Sequence, residues 1–166
     1  MSGVPRTVHL TPAERSVRDV MTPSPASVAP DTSIGDVVRA LMSADFEGVP
    51  VVDEAGHPLG MITQTDLLAR GGVPLRAGLL SDLQAVVDAR LARLKSVPAA
   101  EMMTPDPVTV HGDATLDSAV ETMLHHDLKR LPVVDDDGIV IGMLCRADVF
   151  SILWRPESEA PKDSRP

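Results

Sequence analysis

Gly48 to Asp66 reads GVPVVDEAGHPLGMITQTD, and Arg130 to Asp148 reads RLPVVDDDGIVIGMLCRAD. The two stretches superpose without a gap. Extended backwards in the same register, MTPDPVTVHGDATLDSAV, beginning at Met103, falls on MTPSPASVAPDTSIGDVV, beginning at Met21. About a third of the positions are identical, several-fold above chance for an ungapped pairing of this length. The chain is therefore an internal duplication. It divides into an N-terminal arm (1–15), a first copy (16–70), a linker (71–97), a second copy (98–154) and a tail (155–166) whose Pro, Glu and Ser content predicts disorder.

Each copy reads as a short strand, a helix, a two-stranded hairpin and a second helix. In the first copy Asp31, Thr32 and Ser33 offer N-cap side chains, and Ile34, Val37, Val38, Leu41 and Met42 then recur at helical spacing. The counterpart begins at Asp113 or Thr115 and sets Leu116, Ala119, Val120, Met123 and Leu124 on one face. Val49–Val52 and Leu59–Ile62 are β-rich runs joined by Asp53, Glu54, Ala55 and Gly56, which predicts a hairpin. Val133, Val134 and Ile139–Leu144 repeat it around Asp135, Asp136, Asp137 and Gly138. Between the copies, Leu79, Leu80, Leu83, Val86, Val87, Leu91 and Leu94 predict an amphipathic linker helix over Arg76–Lys95, either a strut or a docking face.

Composition narrows the function classes. The 166 residues carry a formal charge of −9, which disfavours general affinity for DNA or RNA, and no Tyr, two Phe and one Trp leave no platform for base stacking. Any nucleotide is expected as a small ligand in a local pocket. No apolar run approaches the ~20 residues of a membrane span. Arg6 and His9 are followed by no apolar stretch of a secretory leader, so the expected location is the cytoplasm, without membrane insertion. The single cysteine, Cys145, allows no internal disulfide and no thiolate metal cluster. His125 and His126 are adjacent on a helix and point ~100° apart, and Asp135–Asp137 lacks the alternation of a calcium loop, so no metal site is expected. GxxxxGK[ST] and GxGxxG loops are absent, and no nucleophile and base stand together, which argues against an enzyme.

Two β-α-β-β-α copies, each with an MTPxP opening, a VPVVD or LPVVD strand and a G-M-x-x-x-x-D exit, resemble the cystathionine-β-synthase-type (CBS) domain family, in which such motifs come as tandem pairs called Bateman modules. The resemblance implies an α+β, sandwich-like fold with the copies packed about a pseudo-two-fold axis. It also implies two symmetry-related clefts for adenosyl ligands such as AMP, ADP, ATP or S-adenosylmethionine, association into homodimers, and regulation of a partner enzyme, channel or transporter. No cofactor is required; the nucleotide is a regulatory ligand, with magnesium as an optional companion.

The residues at the clefts admit two readings. Thr63-Gln64-Thr65-Asp66 forms a capping box, Thr63 accepting from the Asp66 amide and the carboxylate returning the bond. The same junction offers a carboxylate to ribose hydroxyls and a hydroxyl with helix amides to an anion. In the second copy Cys145 replaces the cap while Asp148 remains; because a thiol is a poor N-cap, capping alone does not account for both Asp residues. Lys129 and Arg130 precede the second copy's hairpin where the first copy has Glu47 and Gly48, which suggests a local anion site.

Carried over from the family, the first cleft joins Thr63 and Asp66 to phosphate contacts from Lys129 and Arg130 and adenine contacts from Thr104, Pro107, Val108 and Thr109. The second, weaker cleft joins Thr22, Pro25, Ala26 and Ser27 to Cys145 and Asp148. Glu47 would repel phosphate there, and Arg146 could offset it. The expected function is a ligand-sensing regulatory module; the rival is a ligand-free dimerisation scaffold with degenerate clefts.

Overall fold

The computed structural model describes residues 15–43, 47–70 and 92–153. Most of the predicted linker helix, with Gly71, Gly72 and Pro74, lies outside the described residues, as do the N-terminal arm up to residue 14 and the tail. A 3-10 turn, Val17–Asp19, leads into β1 (Thr22–Pro23), α1 (Ile34–Ser43), β2 (Gly48–Val52), β3 (Pro58–Thr63) and α2 (Gln64–Arg70). The second copy runs α3 (Ala99–Met102), β4 (Thr104–Pro105), β5 (Val110–His111), α4 (Leu116–His125), β6 (Arg130–Val134), β7 (Val140–Cys145) and α5 (Arg146–Leu153). Helices and strands are mixed along the chain in an α+β fold.

Local chemistry explains the elements. Ser33 caps α1, accepting from the Asp36 amide (3.2 Å) while its hydroxyl donates to the Asp36 carboxylate (2.7 Å). Thr115 caps α4 through the Ser118 amide (3.3 Å); Asp113 instead pairs with Arg18. In both hairpin turns the Asp of VVD folds back on the chain: Asp53 accepts from the amides of Ala55 and His57, and Asp135 from those of Asp137 and Ile139. Gly56 (φ 96°) and Gly138 (φ 79°) take the left-handed positions those turns require.

Pairing between the copies departs from a chain of self-contained repeats. The opening strand of each copy adds to the sheet of the other. Thr22 and Pro23 pair with Met143 and Gly142, giving the order β1-β7-β6-β5; Thr104 and Pro105 pair with Met61 and Gly60, giving β2-β3-β4. The preceding turns cross over as well: the Val17 amide donates to the Ala114 carbonyl (2.9 Å), and the Ala99 amide to that of Thr32 (2.8 Å). This explains the two G-M motifs. A Cβ on Gly60 would run into the Met103 side chain, and one on Gly142 into Met21, so each glycine makes room for the methionine that opens the other copy's MTPxP segment.

Two cores result. One gathers Leu116, Ala119, Met123, Leu131, Val133 and Leu144 with Val17 from the opposite leader; the other gathers Ile34, Val37, Leu41, Val49, Val51 and Ile62 with Ala99 and Met102. Truncating an enclosed member such as Ile62 or Leu144 to Ala is expected to cost about 2–5 kcal/mol. Met42 and Leu124, expected on the buried faces, are instead 80% and 69% exposed. At 100° per residue each lies ~80° round from the first core residue of its helix, outside the arc that reaches the sheet.

Candidate functional site

β3 ends on Thr63 and α2 starts at once, so the two residues of the capping box stand at a strand-to-helix corner. Asp66 Oδ2 accepts from the Thr63 amide (2.9 Å) and hydroxyl (2.7 Å), and Thr63 Oγ1 accepts in turn from the Asp66 amide (3.2 Å). The second oxygen, Oδ1, takes a long contact from the Thr104 hydroxyl, 3.4 Å, on the strand contributed by the other copy. One carboxylate oxygen thus builds the helix, and its twin faces a cavity between the copies.

That cavity holds about 310 Å³, at the small end of the ~300–1,000 Å³ range for small-molecule clefts. Thr63 and Asp66 line it from the first copy, and Thr104, Pro107, Val108 and Arg130 from the second. Thr109 and Lys129 are not among its lining residues; Lys129 is exposed on the approach to β6. Met61, Pro105, Asp106, Leu128 and Pro132 line it without having been expected. Leu128 adjoins Lys129 and Arg130, and Pro105 and Asp106 belong to the MTPDP run itself. Asp106 sits at φ 50°, as does its equivalent Ser24 at φ 48°; this left-handed residue turns each leader after its Thr-Pro bridge.

Arg130 is the cation of this wall. Its side chain is only 13% exposed and is ion-paired to Glu47, which is 67% exposed. The β6–β7 register sets Arg130 opposite Cys145. Burial, and then the Asp148 carboxylate, push the Cys145 thiol up, with Arg130 opposing, so the thiol stays protonated and unreactive at neutral pH.

The residues expected at the second cleft are dispersed over different contacts. The Cys145 amide donates to Asp148 Oδ2 (2.8 Å), so half of the capping box survives without a hydroxyl at the cap. The retention of Asp148 beside a cysteine is thereby explained by helix capping, and the inference drawn from it in the sequence no longer separates binding from structure. Arg146 donates to the Leu128 carbonyl (3.1 Å) and Asp127 (3.3 Å) and lines an apolar groove between α4 and α5. Ser27 borders a depression of about 580 Å³ that also takes in Asp31, Asp53 and Glu54. Thr22 is exposed on β1; Pro25 and Ala26 are half-buried. Glu47, expected to repel phosphate in this second cleft, is engaged by Arg130 of the first.

A family model for the CBS domain matches residues 17–71 and again 99–155. The chain belongs to the CBS domain family. It is similar to the chloroplastic CBS domain-containing protein CBSX2 of Arabidopsis thaliana, 31% identical over 146 residues that cover 81% of this chain and 61% of that protein. The crystal structure of CBSX2 in complex with AMP superposes with a TM-score of 0.65 at 31% identity, covering 83% of this chain and 95% of that one. The CBS domain of a membrane protein from Sphaerobacter thermophilus gives a TM-score of 0.72 at 27% identity, covering 86% and 90%. Inosine-5'-monophosphate dehydrogenase of Nitrosopumilus maritimus is 29% identical over 147 residues, 89% of this chain but only 26% of the enzyme, so the likeness does not extend to most of the dehydrogenase. The chain thus spans less than two thirds of these curated relatives. Among the described residues, no cluster of three His, Cys, Asp or Glu could hold a metal ion, and no helix is long and apolar enough to cross a membrane.

Proposed function

We propose that this chain is a ligand-sensing regulatory module that binds an adenosine nucleotide, AMP, ADP, ATP or an S-adenosyl compound, in the inter-copy cleft of Asp66. The observation that carries the reading is the outward Oδ1 of Asp66, a fixed acceptor between walls contributed by both copies. A ribose diol offers two donors to such an oxygen, and the relative CBSX2 has been solved with AMP. Thr63 lies beside it, Val108 and Pro107 offer an apolar slot for a base, and Arg130, with Lys129 at the rim, supplies positive charge. Since both copies wall the cleft, a ligand that prefers one arrangement of the copies shifts their equilibrium, and that shift is the signal passed to a partner enzyme, channel or transporter.

The cleft of Asp148 is the weaker site. The α4–α5 groove, where Leu124 and Phe150 are 69% and 64% exposed beside Val120 and Val149, supports association into a homodimer. Magnesium enters only with ATP.

Isothermal titration with AMP, ADP, ATP and S-adenosylmethionine tests the reading, and saturable heat with at least one is expected. Silence with all four would leave the ligand-free dimerisation scaffold, which the neutralised state of Arg130 favours.

A further inference from the structure

The geometry points to Glu47 as the residue that sets how much the Asp66 cleft gains from a ligand's phosphate: its carboxylate occupies Arg130, and a nucleotide phosphate must displace it. This rests on the adenosine-binding reading and adds to it a specificity determinant on the first copy.

Arg130 is nearly enclosed, and an enclosed guanidinium without a counter-ion is strongly unfavourable, so some anion must attend it in every state of the cleft. Glu47 fills that role in this structure. The pair is lopsided. Arg130 is 13% exposed and Glu47 67%, so the carboxylate can swing into water at small cost while the guanidinium stays in the wall. A phosphate arriving there replaces one anion by another, offering a planar guanidinium the bidentate geometry it favours. The net gain from phosphate is therefore the difference between two ion pairs, not the full strength of one.

What makes Glu47 specific to this cleft is its charge, since its backbone place is common to both copies: its carbonyl accepts from the Gln64 amide (3.1 Å), and that of Lys129 from the Arg146 amide (2.9 Å). In the duplicated register its equivalent is Lys129, of opposite charge, so the second copy has no such competitor. Displacement of Glu47 also removes an ion pair that bridges the two copies, which connects phosphate binding to their relative freedom.

Adenosine and AMP titrated calorimetrically into the full chain and its variants decide the matter. For Glu47→Gln the AMP-to-adenosine affinity ratio is expected to rise about fivefold, the scale of one half-exposed ion pair, with adenosine affinity unchanged. Glu47→Ala, which cannot hydrogen-bond the guanidinium, should rise at least as far. In an Arg130→Gln background, Glu47→Gln should add nothing to the ratio. Asp106→Asn removes an equal charge from the same cleft at a position whose φ of 50° asparagine tolerates. If it raises the ratio as much as Glu47→Gln, the effect is a general field and the competitor role is overturned. An unchanged ratio in both Glu47 variants, with adenosine still binding, overturns that role alone. Absence of binding by both adenosine and AMP to the wild type and all variants overturns the competitor role, and the adenosine reading falls with it if ADP, ATP and S-adenosylmethionine are silent as well.

Discussion

The corner TQTD of the first copy and the corner CRAD of the second share a helix-opening aspartate but not a complete cap. At Thr63 the box closes in both directions; at Cys145 the backbone amide still donates to Asp148, but no hydroxyl is there to accept from the Asp148 amide. The comparison teaches that an aspartate three residues into such a helix is already justified by one half-buried amide that would otherwise lack an acceptor. What sets Asp66 apart is its second oxygen, aimed across the copy boundary at Thr104 and into the cleft.

The largest expected effect breaks the equivalence of the two corners. Asp66→Ala and Asp148→Ala should each lower stability by roughly 1 kcal/mol in urea denaturation, since each removes a cap bond. Only Asp66→Ala should also weaken nucleotide binding at the tighter site, by about 30-fold or more in calorimetry; equal losses at that site in the two variants would erase the distinction. Next comes the phosphate side. Lys129→Ala with Arg130→Ala should weaken ATP roughly tenfold while leaving adenosine within about twofold, and matching losses would mean that these cations do not touch phosphate.

A smaller effect would sharpen the corner comparison from the other side. Cys145→Ser supplies the missing hydroxyl acceptor and should raise the urea midpoint by the equivalent of about 0.5–1 kcal/mol, whereas Thr63→Ala should lower it by about as much. A destabilised Cys145→Ser protein would show that the thiol's packing outweighs the cap.

The smallest effect concerns the hairpin tips, where the duplication is broken by chemistry. His57 and Ile139 occupy equivalent positions, each against the other copy's turn glycine. The His57 ring lies between two acceptors, with Nδ1 3.0 Å from Asp53 Oδ2 and Nε2 3.2 Å from the Asp137 carbonyl. Only the imidazolium donates to both. The hydrogen bond to Asp53, then its charge, raise the His57 pKa above its ordinary 6.5, with the Asp137 carbonyl and the Asp135 charge adding to the rise. A raised folded value means that the stabilisation is fully present below pH 6.5 and disappears as pH climbs through the folded value. Thermal midpoints of the wild type should therefore fall relative to His57→Gln as pH is raised from 6 to 8. Parallel midpoints across that range would show that the tip contact adds no pH-dependent stability.

The duplication, the helix and hairpin of each copy and the candidates for each cap were legible in the residues alone, and the structure takes Ser33 and Thr115 from among those candidates. Periodicity, turn chemistry and capping depend on neighbours within a few positions, and those neighbours are written side by side. Even there, the apolar stripe of α1 read one residue too wide, because pattern does not say how broad an arc the sheet will cover; Met42 faces outward for that reason. Tertiary structure decided the rest. The leaders exchange sheets because a two-residue strand gains its ladder bonds only from an edge strand that space, not sequence order, makes adjacent. The partnership of Glu47 with Arg130 joins residues 83 positions apart, and a counter-ion is chosen by distance and burial, which only the folded chain defines.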